Sequence, residues 1–241
     1  MILIVILVVI VIITLLFYVD FEGSQEGKPI STTFNPPINT EILYYALSDG
    51  QTSPDSIWFD EYNGHGSSGV QKDMDGNYVF FEYPKTSTKA DETYASLVAT
   101  TSKFKDFTLS LDVRTDKQLR QNSPPNSWEV AWVFFRHVDD FHHYYFILKT
   151  NGIELGKKDD NSQAEKQIFL YTKNTPKSEI GKWSHWDITI VENHITIFVN
   201  NEKIIDHYDE NMPEILRTGA VGLYNEDAAV SFDNVTITPI K

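Results

Sequence analysis

The sequence predicts an all-β, antiparallel two-sheet sandwich preceded by one N-terminal transmembrane helix. Three observations lead there. Residues 1–19 (MILIVILVVIVIITLLFYV) are apolar throughout and carry no charged side chain. From about residue 41 onward, short segments of alternating polarity are separated by turn signals. After residue 40 no apolar pattern keeps a helical period for long.

The 241 residues, 41% hydrophobic and 13% aromatic, can bury the core of one large sandwich. Cysteine is absent, which excludes disulfides and thiolate metal sites. The formal net charge is −14 and no Lys/Arg cluster interrupts it. Such a field repels a polyanion, so nucleic acid is not expected as a partner.

Taken in order, the first element is the apolar run. A helix of that length rises roughly 28 Å, about one hydrocarbon core. A cleaved signal peptide would want a basic start, a shorter run and a small-residue cleavage site. Here no Lys or Arg precedes the run and Asp20-Phe21-Glu22 follows it. The run therefore reads as a signal-anchor, with the membrane as partner and the domain on the extracytoplasmic side. Residues 20–40 are rich in Gly, Ser, Thr and Pro, and Pro36-Pro37 stiffens them, so they read as a linker. The sandwich domain then occupies residues 41–241.

Within it, strands are expected at 78–83, 94–100, 107–114, 129–137, 143–150 and 167–172. More are expected at 186–191, 194–199, 203–207, 220–224 and 229–238. Asp75-Gly76, Asn151-Gly152, Asn193 and Asn200-Asn201 mark turns between them.

Parity separates the faces. In EVAWVFFRH, Ala131, Val133 and Phe135 alternate with Trp132, Phe134 and Arg136. In HYYFILK, Tyr144, Phe146 and Leu148 alternate with Tyr145, Ile147 and Lys149. One parity faces the core; the other places Arg136, Tyr145 and Lys149 on a partly open groove with Trp132 beneath. The competing reading is that Arg136 and Lys149 snorkel from a covered face. Trp128 follows the break at Pro124-Pro125 and is the best ring platform. Glu129 and Glu154 are candidate acids there, or ordinary edge charges. His137, His142 and His143, with Asp139 and Asp140, are either a transition-metal site or a polar hairpin tip. Near the C-terminus, Val230 and Phe232 share one parity while Val235 and Ile237 share the other. One extra residue at Asp233-Asn234, a β-bulge, accounts for the switch.

Three stretches carry a resemblance: AWVFFRHVDDFHHYYFILKTNGIELGK (131–157), WSHWDITIVENHITIFVNNEKIIDH (183–207) and GAVGLYNEDAAVSFDNVTI (219–237). Together they resemble concanavalin A-like lectin/glucanase jelly rolls, of the laminin-G-like or 3-keto-disaccharide hydrolase-like group. The resemblance implies a jelly-roll sandwich with a sugar-binding face. It also implies one structural calcium, with Asp233 as a ligand by motif and Asp60-Glu61 as the weaker match. The Glu-x-Asp-x-Glu motif of the related glucanases is absent. The acid-x-acid pairs here are Asp20/Glu22, beside the apolar run, and Asp73/Asp75, in a turn.

The expected function is a membrane-anchored extracytoplasmic carbohydrate-binding module with a glycan ligand at Trp128, Glu129, Trp132, Arg136, Tyr145, Lys149 and Glu154. A hydrolase of modified (3-keto) disaccharides stays open. So does a structural subunit of a surface complex, with a protein partner on the sandwich face.

Overall fold

The computed structural model describes residues 26–32, 45–159 and 166–241. The apolar run and most of the expected linker lie outside these residues. Among the described residues no helix is long and apolar enough to cross a membrane.

In chain order the strands are β1 (Ile30–Thr32), β2 (Tyr45–Leu47), β3 (Trp58–Tyr62), β4 (Ser67–Lys72) and β5 (Tyr78–Tyr83). Then come β6 (Ala95–Thr100), β7 (Phe107–Gln118), β8 (Ala131–Asp139), β9 (His142–Lys149), β10 (Gly152–Asp159) and β11 (Ile168–Lys173). The last are β12 (Ser184–Val191), β13 (His194–Val199), β14 (Glu202–Tyr208), β15 (Ala220–Glu226) and β16 (Ala228–Pro239). They form two antiparallel sheets of a jelly-roll-like sandwich. One runs β14-β13-β12-β7-β16-β5-β4-β2, with β1 also on β16; the other runs β11-β10-β9-β8-β15-β6-β3.

The expected strands are all present, with ends shifted by a few residues. β2, β3, β4 and β10 add to the expected strands within the sandwich domain, and β1 lies outside it, inside the segment read as a linker, where it pairs Ile30–Thr32 with Val235–Ile237 of β16. Three residues in a Gly/Ser/Thr-rich stretch give too short an alternation to mark a strand.

β7 shows why these segments form sheet. Phe107, Leu109, Leu111 and Val113 point inward while the residues between them are half-exposed, a period of two. β8 and β9 are buried on both faces, because each face carries its own apolar cluster. The inner cluster lies between the sheets and joins them through rings: Trp58 sits 6.0 Å from Phe80, and Phe146 sits 4.9 Å from Trp186. The second cluster lies on the outer face of the seven-stranded sheet and contains Trp132, Phe134, Tyr145, Ile147 and Tyr224. It is the floor of the site described next.

β16 carries the bulge. Asp233 stands opposite Asp112 but Thr236 stands opposite Ser110, so one residue is extra. Asn234 takes a φ of +51° there. Its Nδ2 donates to Asp112 Oδ2 at 2.7 Å. Val230, Phe232, Val235 and Ile237 all reach the core.

Candidate functional site

Consecutive hairpins bring β8, β9 and β10 side by side, and their outward residues build the site. Tyr145 lies across Gly156, where a Cβ would come within 2.3 Å of the tyrosine ring. The bare glycine lets the phenol reach β10, where it donates to Glu154 Oε1 at 3.0 Å. Lys149 Nζ donates to the other oxygen, Oε2, at 2.5 Å. The Trp132 ring stands 5.3 Å from that of Tyr145. Its Nε1 donates to the carbonyl of Trp128 at 2.8 Å, which fixes the loop carrying Trp128.

Trp128, Trp132, Lys149 and Glu154 line a cleft of about 490 Å³, closed by Phe169 from β11 and Glu226 from β15, while Tyr145 is fully buried and holds Glu154 from beneath. Trp128 is 43% exposed and Phe169 60% exposed, so each offers a ring to solvent. Burial, and then the Glu154 carboxylate, raise the Tyr145 phenol well above its usual range, so it stays a donor. Burial also raises the Glu226 carboxyl; its acidic neighbours Asp227 and Glu129 push the same way, against a hydrogen bond from Tyr224. That bond is 2.7 Å long, from the Tyr224 hydroxyl to Glu226 Oε1.

Of the residues singled out from the sequence, Trp128, Trp132, Tyr145, Lys149 and Glu154 come together here. Glu129 does not line the cleft. It is fully buried, and its Oε1 accepts from Arg120 Nε at 2.6 Å and Asn126 Nδ2 at 2.8 Å. Arg120 also donates to Asp227 Oδ2 at 2.6 Å, so Glu129 belongs to a buried ion-pair cluster beneath the cleft rim.

Arg136 corrects the parity reading. Phe135 pairs with Val221 and His137 with Ala220, so Arg136 is an extra residue with a φ of +50°. The bulge turns its side chain away from Tyr145 and Lys149. Its guanidinium is buried, donating to the Lys105 carbonyl at 2.8 Å, the Glu192 carbonyl at 2.7 Å and Asp106 Oδ1 at 2.9 Å. Arg136 ties one end of the sandwich together and is not a groove residue.

Asp60, Glu61 and Asp233 are not gathered. Asp60 points between the sheets, fully buried, and accepts from the Ser68 hydroxyl. Glu61, at the adjoining bulge, meets His137 Nε2 at 3.0 Å. Asp233, beside the bulge in the other sheet, accepts from the Asn234 amide at 2.7 Å. Three carboxylates aimed at different places do not make the shared oxygen shell that calcium needs. His142 Nδ1 is taken up by Asp139 Oδ1 at 2.8 Å. Among the described residues no group of three or more His, Asp or Glu is placed to hold a metal ion.

Phe169 and Glu226 were not singled out from the sequence. Phe169 sits in IFLYTK, where adjacent apolar residues blur the face. Glu226 closes AVGLYNE and looks like a strand-end charge until β15 is placed beside β8.

Comparison with known structures returns the same fold. A carbohydrate-binding module, CBM66 from Bacillus subtilis, is 16% identical with a TM-score of 0.54, covering 75% of this chain and 94% of its own. A Bacillus subtilis protein of unknown function with a galectin-like fold is 10% identical with a TM-score of 0.52, covering 89% and 97%. A Bacteroides ovatus GH16 protein solved with a bound product is 12% identical with a TM-score of 0.50, covering 80% and 97%. No curated protein matches the chain. A family model does, over residues 45–238, nearly the whole of the described sandwich. The chain belongs to the family of 3-keto-alpha-glucoside-1,2-lyase-like domains.

Proposed function

We propose that the chain is a glycan-binding domain whose ligand sits in the cleft between Trp128 and Phe169. One observation carries the reading: two exposed rings flank a lysine–carboxylate pair, fixed from beneath by the buried Tyr145, in a cleft large enough for a sugar. Sugar rings present apolar C–H faces to aromatic rings and hydroxyls to polar groups, and the cleft offers both. The likeness in fold to CBM66 supports it. The charge-free run at residues 1–19 supports a membrane tether that holds the domain outside the cytoplasm.

The test is binding of the purified full chain to a glycan array, followed by titration of the best ligand. Trp128→Ala and Phe169→Ala are each expected to weaken binding about tenfold, with the melting temperature little changed. A folded protein that binds nothing on a broad array overturns the proposal.

A second reading is favoured by Glu226. Its raised carboxyl suits a proton donor, and it shares the cleft with Glu154, an acceptor paired to Lys149. On a 3-keto-α-glucoside, Glu154 would take the proton at C2, beside the ketone. The C1–C2 double bond forms as the C1–O bond breaks, and Glu226 protonates the leaving oxygen. Release of the leaving alcohol from such a substrate favours this reading over binding alone.

A further inference from the structure

A second pocket lies on the same outer face, farther along the strands. It encloses about 170 Å³ and is lined by Tyr62, Phe134, Asp140, His143, Lys158 and Tyr224, among others. Glu154 of the cleft and Lys158 of this pocket are both on β10, four residues apart and on one face. At about 3.3 Å per residue that is ~13 Å along the strand. The two sites are neighbours linked by one hydrogen bond. Tyr224 lines the second pocket and its hydroxyl bonds to Glu226, which lines the first. Tyr145 and Phe134 fill the floor between them.

The chemistry of the second pocket is mixed. His143 Nδ1 lies 3.2 Å from the Asp139 carbonyl, so that nitrogen carries the proton and Nε2 is an acceptor. The ring is stacked 4.1 Å from Phe134. Burial, with smaller contributions from the charges of His137 and Lys158, lowers the imidazole to about 3, so it stays neutral. Lys158 supplies a donor and Asp140 an acceptor. A site with one cation, one carboxylate, a neutral imidazole and phenols suits neutral hydroxyls better than an anion.

We propose that the outer face binds a neutral oligosaccharide chain running along the strands from the Trp128–Phe169 cleft to a second subsite at Tyr62, His143 and Lys158. The proposal rests on the glycan-binding reading and adds the ligand's class and direction. A monosaccharide fills the cleft alone, whereas a chain reaches both sites.

The experiment uses the full chain and an array carrying homologous neutral series of one to six sugar residues, with wild type, Lys158→Ala, Tyr62→Phe and Trp128→Ala. Wild-type affinity is expected to rise about tenfold once the chain spans both pockets, the size of one charged hydrogen-bonding group gained. Lys158→Ala removes that gain and leaves short ligands unaffected, and Tyr62→Phe does the same to a smaller extent. Trp128→Ala weakens every length. A wild-type affinity independent of length overturns the second subsite while leaving the cleft reading intact. So does a Lys158→Ala variant that weakens all lengths equally. Absence of all binding overturns the glycan reading and this proposal with it.

Discussion

Arg136 is 1% exposed and holds an end of the sandwich through four main-chain or carboxylate partners on three separate segments: Lys105-Asp106, Glu192 and Leu216. Burial lowers the guanidinium's affinity for its proton, and Asp106 restores part of it. Removing one partner of such a buried pair leaves the other uncompensated. Arg136→Met is therefore expected to cost about 3–5 kcal/mol in urea unfolding. Glycan affinity should be unchanged, because the side chain does not reach the cleft. The same residue shows where the sequence stops being legible. Alternation places Arg136 beside Tyr145, and one bulged position inverts that. Trp132, Tyr145, Lys149 and Glu154 were readable because successive hairpins bring neighbours in sequence together. Phe169 and Glu226 reach the cleft from strands whose place in the sheet no local pattern states.

At the scale of the strand, β16 turns a sequence irregularity into a joint. Up to Phe232 its flank pairs with β5; from Val235 onward the same flank pairs with β1. The extra residue at Asn234 lets Val230 and Phe232 on one side of the joint, and Val235 and Ile237 on the other, share one core. This was legible in the sequence, since the parity change at Asp233-Asn234 has no cheaper explanation. The positive φ of Asn234 is tolerated by Asn or Gly and poorly by a β-branched residue. Asn234→Val is expected to lose about 1–2 kcal/mol beyond Asn234→Gly, measured by chemical denaturation of the two variants. Equal losses would mean that the contact to Asp112, and not the backbone, sets the cost.

Across the whole molecule, polar bridges as well as rings join the sheets. Asp60 of β3 accepts from Ser68 of β4, and Glu82 of β5 accepts from Asn225 Nδ2 of β15 at 2.9 Å. Burial raises Asp60 to about 6 and lifts Glu82 well above its usual value, with the Asp60 charge adding to the latter. Folded-state values above the unfolded ones mean that the folded chain holds more protons. Stability from these groups is thus present at low pH and is lost as pH rises from about 4, through 6 for Asp60 and beyond for Glu82. Melting temperatures measured from pH 5 to 8 should carry this falling component, and Glu82→Gln should flatten it. An unaltered slope in Glu82→Gln would show that Glu82 does not hold a proton. The placement of β1 also has a mechanical meaning. Its three register pairs run antiparallel to the last strand, and the Gly27 amide just ahead of them donates to the Lys103 carbonyl at 2.8 Å. A pull along β1 from the N-terminal side loads those pairs in shear, together, and not one after another as in an unzipping hairpin. Force arriving from the apolar end of the chain is passed directly to the strand that closes the sandwich.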